Sequence, residues 1–291
     1  TISWEASFEK NRYPVAVDPS LTFVAKSTNS GGAVITGEPG AGHFGAAIVA
    51  GDFNADGRTD IAASAPNYST NTGRVYIFYN DGNLTTAASF ADAVITGETT
   101  NNYLGISLAA GDFNADGKTD LAAGAEGYTT NTGRVYLFYN DGSYSDAASA
   151  DVFLTGGAAS DKFGHSLAAG DFNANGTVDI AVGANGKSSS AGGVYIYYND
   201  GSYTAADVTI TGNAASDAFG GAIASGDVNA DTKVDLVVGA TGYNPGAAAN
   251  TGRSYIFYND GSIPTTAATA DVTLTGNAAS DLFGGAIATG D

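Results

Sequence analysis

One nine-residue stretch carries oxygen-bearing side chains at regular intervals. In Asp52-x-Asn54-x-Asp56-Gly57-Arg58-x-Asp60 they fill loop positions 1, 3, 5 and 9, with glycine at position 6. Alternate residues of a tight loop converge on one point, and the backbone carbonyl of Arg58, at position 7, is expected to face inward with them. Hard oxygens around one point suit Ca²⁺, which takes about six to eight of them. Magnesium prefers a smaller octahedral set with several waters, and zinc prefers nitrogen or sulfur.

The same spacing returns three times: as Asp112, Asn114, Asp116, Lys118 and Asp120; as Asp171, Asn173, Asn175, Thr177 and Asp179; and as Asp227, Asn229, Asp231, Lys233 and Asp235. A lone Asp/Asn/Gly cluster usually makes only a turn. Four copies with oxygen at every ligand position point instead to a metal, so about four Ca²⁺ sites are expected. Eleven aspartates stand at these positions, and without a cation their like charges would crowd. An EF-hand is excluded, because position 12 holds Ala63, Ala123, Val182 and Val238 where that motif has glutamate. The flanks are also short apolar segments rather than helices. The copies are unequal: the third loop has two carboxylates, and the fourth has Thr232 where the others have glycine. If that position needs a positive φ, the threonine is costly.

The rest of the composition narrows the partners. Eleven Lys and Arg against 30 Asp and Glu give a net charge of −19, which would repel nucleic acid and anionic membrane surfaces. Four divalent ions would return eight positive charges. No cysteine is present, which removes disulfides, thiolate metal sites and cysteine nucleophiles. No apolar run reaches the ~18 residues of a membrane span, so no insertion is expected. Thr1 to Glu5 shows no leader pattern, and any signal peptide is expected to have been removed.

The loops are carried by a repeat. Gly51, Gly111, Gly170, Gly226 and Gly290 open successive copies, 60, 59, 56 and 64 residues apart. Each period reads as four short strands, in the first copy Ala46–Ala50, Ile61–Ala65, Arg74–Tyr79 and Ala93–Thr96, with the acidic loop between the first two. The third strand is apolar on both faces, as required between stacked sheets. Glycine, Asn, Thr and Val outnumber the good helix formers. The expected fold is all-β: a β-propeller of four-stranded antiparallel blades, with four full repeats and the start of a fifth, part of a larger ring or array. Residues 1–30 lie outside the repeat as a linker or docking strand, with strand propensity at Val15–Val17 and Leu21–Ala25. Residues 31–291 form the repeats, which are expected to continue past Asp291.

Phe44-Gly45, the acidic loop and Ser64-Ala65-Pro66 together resemble an FG-GAP repeat, the blade unit of the integrin α-subunit propeller and its microbial relatives. Leu104-Gly105, Phe163-Gly164 and Phe219-Gly220 head the other copies, and Phe283-Gly284 opens a fifth. The resemblance implies calcium loops between the first and second strands of a blade. It implies binding surfaces on the loops joining strand two to three and strand four to the next strand one.

Catalysis has no support in the pattern: His43 and His165 flank these motifs in different repeats, and no Ser/His/Asp grouping recurs around them. The leading expectation is an extracellular, secreted or surface-attached recognition and adhesion module for a protein or glycan ligand. A carbohydrate-binding propeller attached to an enzyme is one alternative, with Tyr68, Tyr128 and Tyr243 stacking on sugar rings or else packing their own loops. A structural subunit that self-assembles through the N-terminal segment is another.

Overall fold

The structure is a computed structural model that describes residues 24–27, 31–38, 42–82, 84–85, 87–246 and 250–290. The expectation at Val15–Val17, and most of that at Leu21–Ala25, lies outside them. A hairpin of β1 (Val24–Ser27) and β2 (Gly31–Val34) precedes four antiparallel sheets. Blade one is β3 (Ile48–Gly51), β4 (Asp60–Ala65), β5 (Arg74–Phe78) and β6 (Ala93–Thr96). Blade two is β7 (Leu108–Gly111), β8 (Asp120–Ala125), β9 (Arg134–Phe138) and β10 (Val152–Thr155). Blade three is β11 (Phe163–Gly170), β12 (Asp179–Ala184), β13 (Gly193–Tyr197) and β14 (Val208–Thr211). Blade four is β15 (Phe219–Gly226), β16 (Asp235–Ala240), β17 (Arg253–Phe257) and β18 (Val272–Thr275). Every sheet is a simple meander in chain order, the expected all-β propeller blade.

The core lies between blades. Val75, Tyr76, Ile77 and Phe78 on β5 are all fully buried, because one face meets its own neighbours and the other the next sheet. One apolar cluster joins Val75, Ile77 and Ile95 to Leu104, Leu121 and Tyr136, and equivalent clusters join blade two to three and three to four. Burying each such side chain contributes about 1.5–3 kcal/mol. First strands pack successively, β3 on β7, β7 on β11 and β11 on β15. The last residue of β3 is a glycine, Gly51, where a Cβ would lie 2.6 Å from the Thr119 side chain of the next blade.

Residues 31–38 continue the pattern backwards. Thr36 bridges Ala87 in parallel as Thr211 bridges Thr266, so this segment occupies the place of a fourth strand ahead of blade one. Glu38 then meets Arg74 and Tyr76 as Glu98 meets Arg134 and Tyr136.

Candidate metal centre

The β3–β4 hairpin carries the first acidic loop, and the side chains hold it in shape. Asp52 accepts the Asp56 N–H on Oδ1 at 3.0 Å and the Gly57 N–H on Oδ2 at 2.8 Å. Asn54 Oδ1 shares the Asp56 N–H at 3.0 Å, and Asp56 Oδ1 accepts the Arg58 N–H at 2.8 Å. Positions 1, 3 and 5 are therefore drawn together around one exposed turn. The bonds repeat in loop two (Asp112, Asn114, Asp116), loop three (Asp171, Asn173, Asn175) and loop four (Asp227, Asn229, Asp231).

Position 9 behaves differently. Asp60, Asp120, Asp179 and Asp235 are fully buried at the start of a second strand. Asp60 Oδ2 accepts the Phe53 N–H at 2.9 Å and Oδ1 the Asn80 N–H at 2.7 Å. Its carboxylate thus ties the loop to the turn after β5. Burial raises the pKa of Asp60, against those two N–H groups, and the charges of Asp56 and Asp52 add to the rise. Burial likewise pushes Asp120 and Asp179 to about 6. Among the described residues, no three acidic or imidazole groups stand close enough to hold an ion by themselves.

At position 7 the side chains of the first three loops reach the turn after the third strand, while Thr177 Oγ1 also contacts Asn175 Oδ1 at 2.6 Å and Lys118 Nζ lies 3.9 Å from Asp116 Oδ2. Arg58, Lys118 and Thr177 donate to the carbonyls of Asn80, Asn140 and Asn199, and the cationic side chains of Arg58 and Lys118 leave only their backbone carbonyls to serve a cation. Position 6 has φ of 83°, 86° and 89° at Gly57, Gly117 and Gly176, and Thr232 takes the same path at 71°. The fourth loop therefore carries the strain that a β-branched residue meets in the left-handed region. Position 12 lies inside a core strand, where Ala63, Ala123, Val182 and Val238 are buried.

The donor set fits a hard cation. Each loop offers carboxylate and amide oxygens, and an oxygen accepting one N–H keeps a second lone pair. Loops one, two and four have three carboxylates and loop three has two.

The opposite ends of the blades are built from backbone strain. Ser69, Thr70 and Asn71, in the helical turn Tyr68–Asn71, have φ of 46°, 56° and 61°. The carbonyls of the last two point at the next blade's entry: Asn101 N–H donates to Thr70 and Tyr103 N–H to Asn71. The three tyrosines singled out from the sequence are half-buried here. The guanidinium carbons of Arg74, Arg134 and Arg253 lie 3.7 Å from the ring centroids of Tyr68, Tyr128 and Tyr243. One face of each ring is thereby taken. Blade three exchanges both partners, with Lys187 at the tyrosine position and Gly193 at the arginine position. His165 pairs with Glu126 at 2.7 Å across the joint between blades two and three.

The profile of the FG-GAP repeat matches residues 44–78, 104–138, 163–197 and 219–257, which are the first three strands of each blade. The four blades are FG-GAP repeats. This chain is 33% identical over 177 residues to the Homo sapiens phosphatidylinositol-glycan-specific phospholipase D, covering 55% of the chain and 21% of that protein. It is 31% identical over 217 residues to Gallus gallus integrin alpha-8, covering 69% of the chain and 20% of the integrin. The FG-GAP chain thus spans about a fifth of these relatives. A partial overlay on the crystal structure of the V. cholerae biofilm matrix protein Bap1 covers 77% of the chain and 29% of that structure, with 21% identity and a TM-score of 0.40.

Proposed function

We propose that this FG-GAP array is an extracellular recognition or adhesion module whose acidic loops hold calcium as structural ions. Asp52, Asn54, Asp56, Asp60 and the Arg58 carbonyl would hold the first ion, with their counterparts holding the others. The chemistry supplied by the ion is electrostatic: it would neutralise crowded carboxylates and stiffen each hairpin. Ligand recognition then belongs to the other end of the blades.

The observation that carries this reading is topological. In a meander the β3–β4 and β4–β5 connections leave opposite ends of the sheet. The acidic loops therefore share one face, and the variable segments 66–72, 126–132 and 185–192, with the described residues of 241–251, share the other. The variable segments are rich in Asn, Ser, Thr and Tyr, the chemistry of adaptable contacts on a rigid frame. A cleft of about 670 Å³ opens on that face between blades two and three, lined by Asn131, Asp161, Lys162, Asn185 and Ser188 among others. The integrin relative supports a protein ligand. A sugar stacking on Tyr68, Tyr128 or Tyr243 from the guanidinium side would first have to displace an arginine.

Replacing Thr241–Thr251 by the shorter 126–132 segment should leave the fold and calcium binding intact while lowering adhesion to a ligand-coated surface. Adhesion that survives the exchange, and falls only with mutation of the acidic loops, would put recognition on the wrong face.

A further inference from the structure

Asn140 touches two acidic loops at once and lies in neither. It sits on the turn after β9 with only 2% of its surface exposed. Its backbone N–H donates to Asp120 Oδ1 of its own blade at 2.8 Å, and its Nδ2 donates to the Asp52 carbonyl of the preceding blade at 3.1 Å. Tyr144 adds a second tie to that preceding loop, donating its hydroxyl to the Phe53 carbonyl at 3.1 Å.

The arrangement recurs at the next joint. Asn199 N–H donates to Asp179 Oδ1 at 2.8 Å and its Nδ2 to the Asp112 carbonyl at 3.3 Å, while Tyr203 donates to the Phe113 carbonyl at 2.7 Å. It weakens at the third joint. Asn259 N–H still donates to Asp235 Oδ1 at 2.8 Å, but its Nδ2 lies 3.5 Å from the Asp171 carbonyl. Ile263 stands there in place of the tyrosine, and Asn259 Oδ1 is buried without a hydrogen-bond partner.

A buried amide held by two loops transmits the position of one to the other. Ordering loop one fixes the Asp52 and Phe53 carbonyls, which fixes Asn140 and Tyr144. Asn140 in turn aims its N–H at the carboxylate that closes loop two. We propose that Asn140 and Asn199 are positioning residues that couple neighbouring loops, so that calcium in one loop raises the calcium affinity of the next. The inference rests on the calcium reading above. Coupling is reciprocal by thermodynamic necessity, and about fivefold is the lower end of usual couplings. It should be strongest between loops one and two and between two and three, and weakest between three and four.

The test is a calcium titration of the metal-free chain followed by nuclear magnetic resonance at the amides of Gly57, Gly117 and Gly176, which report loops one, two and three separately. Disabling loop one with Asp56→Asn should move the Gly117 midpoint to about fivefold higher calcium. In an Asn140→Ala background the same Asp56→Asn change should leave the Gly117 midpoint where that background sets it. Tyr144→Phe keeps the buried ring and removes one tie, so it should reduce the coupling even if Asn140→Ala folds poorly. A Gly117 midpoint indifferent to loop one in the parent chain would overturn the coupling while leaving the calcium sites standing. If no glycine responds to calcium, both readings fall.

Discussion

The two ends of the blades solve the same problem, turning one strand into the next, with opposite means. At the acidic end, side-chain oxygens hold the backbone, and the same bonds appear in all four loops. At the other end the backbone itself is strained: left-handed residues such as Thr70 and Asn71 offer carbonyls to the next blade. The difference explains where sequence can vary. A loop built from side-chain oxygens must keep those oxygens, whereas a turn held by carbonyls tolerates Tyr-Ser-Thr-Asn, Tyr-Thr-Thr-Asn or Lys-Ser-Ser-Ser.

The sharpest break in that comparison is at position 9. Asp120→Ala removes the acceptor for the buried N–H groups of Phe113 and Asn140. Leaving each buried N–H unsatisfied costs about 1–3 kcal/mol, so a loss of about 4 kcal/mol is expected in urea unfolding even without metal. A change such as Thr130→Ser at the other end should cost well under 1 kcal/mol, as exposed substitutions usually do.

Next in size is a pH effect confined to the acidic end. Asp120 and Asp179 have pKa values of about 6 when folded against a reference of 3.8. The folded state then holds its protons more tightly, so their contribution to metal-free stability declines as pH rises from about 4 to 6. Each carboxylate accounts for about 2–3 kcal/mol of that decline. Because calcium needs the ionised form, its stabilisation should be larger at pH 7.5 than at pH 5. Paired urea titrations with calcium and with chelator at the two pH values measure it. Equal stabilisation at both would argue against carboxylate ligation.

The smallest effect separates the loops from one another. Thr232→Gly relieves a left-handed φ of 71° and should stabilise the chain by about 1 kcal/mol. It should also raise the affinity of loop four, which calorimetric titration would resolve from the other three.

Much of this was legible because it is local. The spacing of Asp52, Asn54, Asp56 and Gly57 lies within one hairpin, and the alternation around it names the flanking strands. The first strand begins later than its apolar run suggested, at Ile48, because Gly45 and Ala46 are taken by turn bonds to Ser64 and His43. Contacts between blades were not legible. Asn140 reaches Asp52 across 88 residues, and nothing in an Asn-Asp-Gly turn distinguishes an asparagine that bridges two blades from one that merely turns. The stacking of Arg74 on Tyr68 left a fainter signal, since arginine and tyrosine disappear together in blade three, where Lys187 faces Gly193. The segment at 31–38 had one too: Ala33-Val-Ile-Thr-Gly-Glu38 repeats as Ala93-Val-Ile-Thr-Gly-Glu98.

The central claim, that the acidic end is a row of structural calcium sites, is tested most directly by differential scanning calorimetry of rigorously metal-free protein with and without calcium. An ion that binds only the folded state adds about 2.7 kcal/mol per site at a hundredfold excess over its dissociation constant. The melting temperature should therefore rise steeply with added calcium and fall back with EDTA. Asp52→Asn, Asp112→Asn and Asp227→Asn together should blunt that response. An unchanged melt across the calcium series would contradict the claim and leave the aspartates as turn formers alone.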